Sequence, residues 1–287
     1  MRLDSAAMRF GVVILPDARW SVARERWRAA ETLGFDHAWT YDHLTWRSLR
    51  DGPWFGALPT LTAAATATTR LRLGTLVASP NFRHPVPFAK ELMTLDDISQ
   101  GRLTVGLGAG GTGFDATALG QEPWSRRERA DRFEEFVTLL DRLLAQPATT
   151  HEGRFYSARE ARAVPGCVQQ PRVPFAIAAE GTRGMRLAAA LGATWVIVDG
   201  RGDAHDRIRR MLEVCAAAGR EPETLGRLVL LGFRERPLAA LEAFRDCAGR
   251  YAAMGFTDLV VHWPRDAEPF TAQTRVLERV AREVLGR

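Results

Sequence analysis

The chain has 287 residues, 46% of them hydrophobic and 25% charged, the balance of a soluble globular protein and not of a disordered one. No window reaches the apolar length of a membrane span, and the start lacks the basic-then-apolar layout of a signal peptide. The formal charge is +5, nearly all of it from arginine because Lys90 is the only lysine. No basic run interleaved with aromatics points to nucleic acid, whereas arginine forks suit a small polyanionic ligand. Cys167, Cys215 and Cys247 are far apart and lack metal-ligand spacing, so three reduced thiols in a cytoplasmic protein, and no metal, are expected.

Met1 to Ala7 reads as a loose tail, followed by a strand over Arg9–Leu15 and a helix over Arg19–Leu33. Further strands are expected at His37–Tyr41, Leu71–Ala78, Leu103–Leu107, Phe175–Ala179, Trp195–Val198, Leu228–Leu231 and Asp258–His262. Helical periodicity marks Val86–Ile98, Arg126–Leu144, Gly184–Leu191, Ala204–Ala218, Leu238–Met254 and a final Phe270–Leu285. Residues 147–174, rich in Gly and Pro from His151 onward, read as an irregular excursion between the fourth helix and the fifth strand. Continuous apolar strands separated by helices indicate parallel sheet buried on both faces. Eight such units in a single domain spanning residues 1–287 are the count of a closed (β/α)8 TIM barrel. A doubly wound open sheet is the alternative that periodicity leaves standing.

In a barrel the functional loops follow the strands and open at one face, and the unusual residues of this chain cluster there. Asp42, His43 and Trp46 follow the second strand. An Asp-His pair at a strand end is a candidate site, although Asp42 as a turn cap and His43 as a satisfied surface residue is the plainer reading. Ser79 to Pro85, a loop braced by two prolines, follows the third strand. The run Gly106 to Gly113 follows the fourth and formally contains GxGxxG at Gly106, Gly108 and Gly111. It is not in the first βα turn, so a bare loop that lets a flat ring approach the backbone is the better reading. Glu180-Gly181-Thr182-Arg183 leads into a helix and offers free N–H groups, a hydroxyl and a charge to a phosphate, provided that Glu180 points away. A capped helix start is the bland alternative.

Taken in order, these segments resemble the luciferase-like monooxygenase superfamily of flavin and deazaflavin enzymes over nearly the whole chain. The residues carrying the resemblance are Thr40-Tyr41-Asp42-His43, Leu73 to Pro80 with Arg83-His84-Pro85, Gly101 to Gly108, and Ala178 to Ala189. Within it the chain looks most like the branch using coenzyme F420, a deazaflavin with a polyglutamate tail suited to a basic protein. The resemblance implies that Asp42 and His43 lie at the deazaflavin and that Trp46 lines the active site. It also implies a bulged third strand with a non-prolyl cis peptide at Leu76-Val77 backing the ring. Ser79, Gly108, Ala109 and Gly110 would contact the cofactor, as would the loop from Glu180, with Gly181, Thr182 and Arg183 at its phosphate. On this basis His43 exchanges the proton coupled to hydride transfer with a small organic substrate, and Asp42 orients His43 or binds the ring. Trp263 and His262 are further candidates for the substrate wall. FMN with a partner reductase is the alternative chemistry, and a non-enzymatic flavin-binding relative a third reading; homodimers are common in the family. One position departs from the family: the glutamate acid of F420-dependent sugar-phosphate dehydrogenases is replaced here by Gly111.

Overall fold

The computed structural model describes residues 8–111 and 113–286, so the tail expected over residues 1–7 lies outside the described residues. Its strands are β1 (Arg9–Val13), β2 (His37–Thr40), β3 (Arg72–Ala78), β4 (Leu103–Leu107), β5 (Ala148–Glu152), β6 (Ser157–Arg162), β7 (Phe175–Ala178), β8 (Thr194–Val198), β9 (Gly226–Leu230) and β10 (Asp258–His262). All but β5 and β6 close into one parallel barrel in the order β1-β10-β9-β8-β7-β4-β3-β2, which excludes the open sheet. The helices are α1 (Trp20–Thr32), α2 (Ala57–Ala67), α3 (Pro85–Ile98), α4 (Phe114–Ala118), α5 (Arg126–Ala145), α6 (Thr182–Leu191), α7 (Ala204–Ala217), α8 (Leu241–Ala253) and α9 (Thr274–Val280). None is long and apolar enough to cross a membrane.

Side chains alternate across a strand, so each barrel strand supplies an outer and an inner set. The outer set, including Phe10, Val12, Leu73, Val105, Phe175 and Trp195, packs against buried helix residues such as Trp27, Leu61, Phe88, Phe136 and Phe244. Each such side chain stabilises the fold by about 1.5–3 kcal/mol through burial. The inner set includes Val13, Trp39, Tyr41, Leu76, Val196, Leu230 and Val260. On β2 it reads His37 and Trp39, continued by Tyr41 just beyond the strand, and on β10 Asp258, Val260, His262, with polar groups at both ends of the barrel and an apolar layer between.

At the lower end Arg9 forks onto Asp258 at 2.7 Å, and His37 Nε2 donates to Asp258 Oδ1 at 3.0 Å. Trp39 Nε1–H donates to His37 Nδ1 at 2.7 Å, which fixes the hydrogen on Nε2. Burial pushes the Asp258 pKa up, but the bonds from His37 and Arg9 outweigh it and hold the carboxyl below the usual range. This end is a stability element, as expected for the face of a barrel remote from its loops.

Three expectations change. The excursion over 147–174 is only partly irregular, because β5 and β6 pair antiparallel from Ala148↔Arg162 to Glu152↔Ser157. Only Thr149 and Ala158 are buried along them, so no apolar run announces the hairpin. Helix α2 was not singled out, since its run of Ala and Thr carries little amphipathic contrast. The last helix starts at Thr274 and not at Phe270, which sits at φ 70°, outside the right-handed helical region.

Candidate functional site

The loops at the C-terminal ends of the strands bring His43 to the mouth of the barrel, where its ring is partly exposed. His43 Nδ1 lies 2.7 Å from Asp115 Oδ2, and Asp115 Oδ1 accepts the Leu44 N–H at 2.8 Å. Trp54 Nε1–H donates to the His43 carbonyl at 2.8 Å, so both main chain and ring are held. A carboxylate at Nδ1 requires the hydrogen there and leaves Nε2 to accept or deliver a proton. Asp115, 1% exposed and in the first turn of α4, was not among the expected site residues. In the sequence it looks like an ordinary acidic residue at a helix start.

Asp42 does not orient His43. Its carboxylate, 1% exposed, is gripped in a bidentate fork by Arg83 at 2.8 and 3.0 Å. Arg83 reaches on to Glu91 at 3.1 Å and lies over Phe82 and Phe88. Asp42 thereby ties the loop after β2 to the loop after β3, and its carboxylate is directed at Arg83 while His43 bonds Asp115.

Between Thr75 and Ala78 the β3–β4 register shifts, and the Leu76–Val77 peptide is cis. Leu76 faces the barrel interior, while Val77 turns towards the glycine loop. A Cβ at Gly108 would stand 2.6 Å from Val77 Cγ2, and one at Gly110, where φ is 71°, 2.5 Å from Asn81 Oδ1. These two glycines therefore make room for the protein's own Val77 and Asn81, a closer constraint than the approach of a flat ring. Asn81 Nδ2 donates to the Gly111 carbonyl at 3.1 Å and the Asn81 N–H points to the buried Ser79 hydroxyl at 3.4 Å. Ala109, between the two glycines, packs on the outer core. Thr112 lies outside the described residues.

At the start of α6 no side chain caps the helix at Gly181, and a Cβ there would meet nothing within 4 Å. Glu180 is drawn aside by Arg207, with contacts of 3.0 and 3.2 Å, and Arg207 itself is buried and also donates to the Val198 carbonyl. The negative charge beside the helix start is thus neutralised by a residue from α7. Arg183 points back to Asp131 and Glu134 on α5, and Arg210 Nη2 donates to the Thr182 hydroxyl at 3.3 Å. The loop keeps its open N–H groups, but the Arg183 charge is shared with two carboxylates.

The upper end of the barrel interior closes on a second histidine. His262 Nδ1–H donates to the Leu231 carbonyl at 2.9 Å, so its Nε2 accepts from the Tyr41 hydroxyl at 2.7 Å. Burial pushes the His262 pKa down to about 3, partly opposed by the Leu231 bond and reinforced by Arg265. Burial likewise raises the Tyr41 pKa, so both groups are neutral and joined by one hydrogen bond. Phe270 stacks on the His262 ring at 3.4 Å. Trp46, 7% exposed, packs against Tyr41, Trp54, Phe233 and Phe270, and also lines a cavity of about 960 Å³ between the loops that follow β2, β9 and β10. It is both mouth packing and cavity wall. Trp263, next along the chain from His262, faces the opposite way and packs on the outer core. Among the described residues no group of three or more His, Cys, Asp or Glu could hold a metal ion.

The sequence model described as luciferase-like monooxygenase matches residues 8–281. An F420-dependent glucose-6-phosphate dehydrogenase of Beutenbergia cavernae is 31% identical, with 90% of each chain covered. Among solved structures, an F420-dependent secondary alcohol dehydrogenase in complex with an F420-acetone adduct superimposes with a TM-score of 0.82 at 19% identity, covering 97% of this chain and 98% of that one. The monooxygenase RslO1 from Streptomyces bottropensis gives 0.78 at 23% identity, covering 97% and 98%. At these identities the two structures share the fold.

Proposed function

Since the chain belongs to the luciferase-like monooxygenase family, and within it is an F420-dependent oxidoreductase, we propose that it moves a hydride between the deazaflavin C5 and a small organic substrate, with His43 carrying the coupled proton. The observation that carries this reading is the His43–Asp115 pair at the barrel mouth, 2.7 Å between Nδ1 and Oδ2, with Nε2 left free. When bound, coenzyme F420 supplies the two-electron chemistry; orientation, a dry surface and a proton come from the protein.

The residues present fit such a cofactor at two places. The uncapped start of α6, with Glu180 held aside by Arg207, offers N–H groups of Thr182 and Arg183 to a phosphate. The bulge of β3 at Leu76-Val77, with Gly108 to Gly110 beside it, forms the wall against which the flat ring system would rest. Asp42 acts on this wall indirectly: by fixing Arg83 it holds the loop containing Ser79 and Asn81 in place. His43 approaches from the opposite loop. Asp115 keeps its ring in one tautomer, so a proton can pass through Nε2 in either direction of the reaction. Tyr41 and His262 form a neutral, hydrogen-bonded floor that excludes water without presenting a charge.

Titrating the purified protein with F420 and with FMN, following the fluorescence of each, tests the cofactor. Micromolar binding of F420 is expected; binding of FMN with none of F420 would refute the reading. A panel of enones, imines and alcohols then tests the chemistry. His43→Ala is expected to abolish F420-linked turnover while leaving F420 affinity within about threefold, since general acid–base groups contribute about 10²–10⁴-fold. Turnover unchanged by His43→Ala would end the proton role.

A further inference from the structure

We propose that the substrate of this site is an amphiphilic anion: a flat or apolar carbon body bearing one carboxylate or phosphate group, with the anion held by Arg47 and Arg234. The inference rests on the reading that the Trp46 side of the mouth is the substrate side. The cavity of about 960 Å³ has an aromatic inner wall of Trp46, Phe233, Phe270 and His262. Of the neutral polar side chains on that lining, His262 is already bonded at both nitrogens and Gln273 accepts from Arg275 Nε at 2.6 Å, while Ser48 and Thr271 are small. Hydroxyls turned towards that aromatic wall would go unpaired, which a binding site penalises heavily. A planar or apolar body would be covered on its faces.

The charges point the same way. Among the lining arginines, Arg236 is paired with Glu268 at 3.0 Å and Arg265 with Asp17 at 3.4 Å. Glu235 is engaged outside the cavity by Arg250 and by Tyr251 at 2.6 Å. Arg47, Arg234 and Arg275 meet no carboxylate within 4 Å among the described residues, and of these Arg275 is turned to the Gln273 side chain. Arg47 is held at φ 45°, a backbone region that L-residues seldom adopt. Its guanidinium lies 5.1 Å over the Trp46 ring and 5.4 Å over the Phe233 ring. A guanidinium attracted to ring faces is held near the wall while its N–H donors stay available to an anion.

Arg234 is placed by Asp199, whose buried carboxylate accepts the N–H groups of Gly232, Phe233, Arg234 and Glu235 at 2.7 to 3.2 Å. Gly200 gives the Arg234 side chain its room, since a Cβ there would stand 3.0 Å from the Arg234 Cβ. The next residue, Arg201, acts together with Arg47 on the ionisation of Tyr41, which puts a further cation at the same mouth. The Asp199 carboxylate accepts four main-chain donors and Asp266 also lies on the lining, yet neither comes within 4 Å of the Arg47 or Arg234 guanidinium. An unpaired pair of forks beside an apolar wall is the arrangement that recognises the head of an amphiphilic acid.

The test uses F420-loaded protein and four probes: cinnamate, phenyl phosphate, the uncharged cinnamamide, and glucose 6-phosphate. Calorimetric titration is expected to show one of the two aromatic anions binding about tenfold or more tighter than the amide, as charge-assisted pairing implies, and tighter than the sugar phosphate. Arg47→Gln and Arg234→Gln should each erase most of that preference while F420 affinity, read by its fluorescence, stays within twofold. Cinnamate against phenyl phosphate distinguishes a carboxylate from a phosphate head. Equal binding of acid and amide, no binding of either aromatic anion, or a preference untouched by both substitutions overturns the inference. Failure of the wild-type protein to bind F420 would instead sink the function on which it rests.

Discussion

Lowering the pH from 7 to 5 should destabilise this protein through His262, and replacing that residue by glutamine should remove the effect. The ring is buried, donates from Nδ1 to Leu231, and accepts at Nε2 from Tyr41 at 2.7 Å. A proton on Nε2 would turn the acceptor into a donor facing another donor, in a place without water. Hence its pKa falls from 6.5 to about 3. The sign follows directly: between those values the unfolded chain binds a proton that the folded one refuses, so stability falls as pH drops through 6.5 and is unaffected above it. Integrated from pH 7 to 5, the loss is about 2 kcal/mol for a residue that stays neutral when folded. Asp258 does not contribute in this window, because its depressed pKa matters only below the ordinary carboxylate range.

Glutamine keeps both bonds available, its amide oxygen for Tyr41 and its NH₂ for Leu231, and has no proton to gain. Urea unfolding followed by tryptophan fluorescence and circular dichroism at the two pH values is the measurement. His262→Gln should lose about 2 kcal/mol less stability than the wild type between pH 7 and 5. Equal losses in both proteins would refute the neutral, desolvated assignment of His262.

Asp115→Asn should lower kcat by about 10–100-fold while changing KM and F420 affinity by less than about threefold, since it removes only the group that fixes His43. Combined with His43→Asn it should cost nothing beyond His43→Asn alone; additive losses would show that Asp115 acts elsewhere. Arg207→Met frees the Glu180 charge beside the α6 start and should weaken F420 binding by about tenfold, with recovery in Arg207→Met/Glu180→Gln. Loss without recovery, measured by fluorescence titration, would point to general damage. Asp258→Asn should destabilise the fold at pH 7 by about 3 kcal/mol by stranding Arg9 and His37, and the gap to wild type in urea melts should narrow as pH falls below about 4.

The barrel was legible because β1, β4, β7 and β10 are apolar on both faces, a pattern that only a sheet covered on both sides explains. What stayed hidden depended on contacts between residues distant in sequence. Asp42 sits beside His43 in the chain, yet its partner is Arg83, 41 positions away, while His43 finds Asp115, 72 positions away. Adjacent residues at a strand end point apart, so sequence proximity was the wrong guide to pairing. The same alternation separates Trp263 from His262. Glu180 beside an anion site was a conflict in the sequence, and only the arrival of Arg207 from α7 removes it. The hairpin β5–β6 escaped because its polar strands bury one residue each.

The loop after β4 also bears on what reaction to look for. By the resemblance, Gly111 stands where sugar-phosphate dehydrogenases of the family would carry an acid, and four residues later Asp115 brings a carboxylate to the back of His43. Its carboxylate is buried and turned to His43 and Leu44, which keeps it away from a substrate at the mouth. The neighbouring histidine, His262, is neutral and bonded at both nitrogens. On the proposed reading, His43 is the group that exchanges the proton with substrate. Moving a hydride to an activated C=C, C=N or C=O bond requires one proton in addition, and a single imidazole can deliver it. Reactions that need an acid and a base acting together on a sugar are harder to accommodate on this set. Cinnamate, the probe acid with a conjugated double bond, is accordingly the first compound to try as substrate as well as ligand, with oxidation of reduced F420 as the readout; reduction of oxidised F420 by glucose 6-phosphate with no turnover of cinnamate would contradict this reasoning.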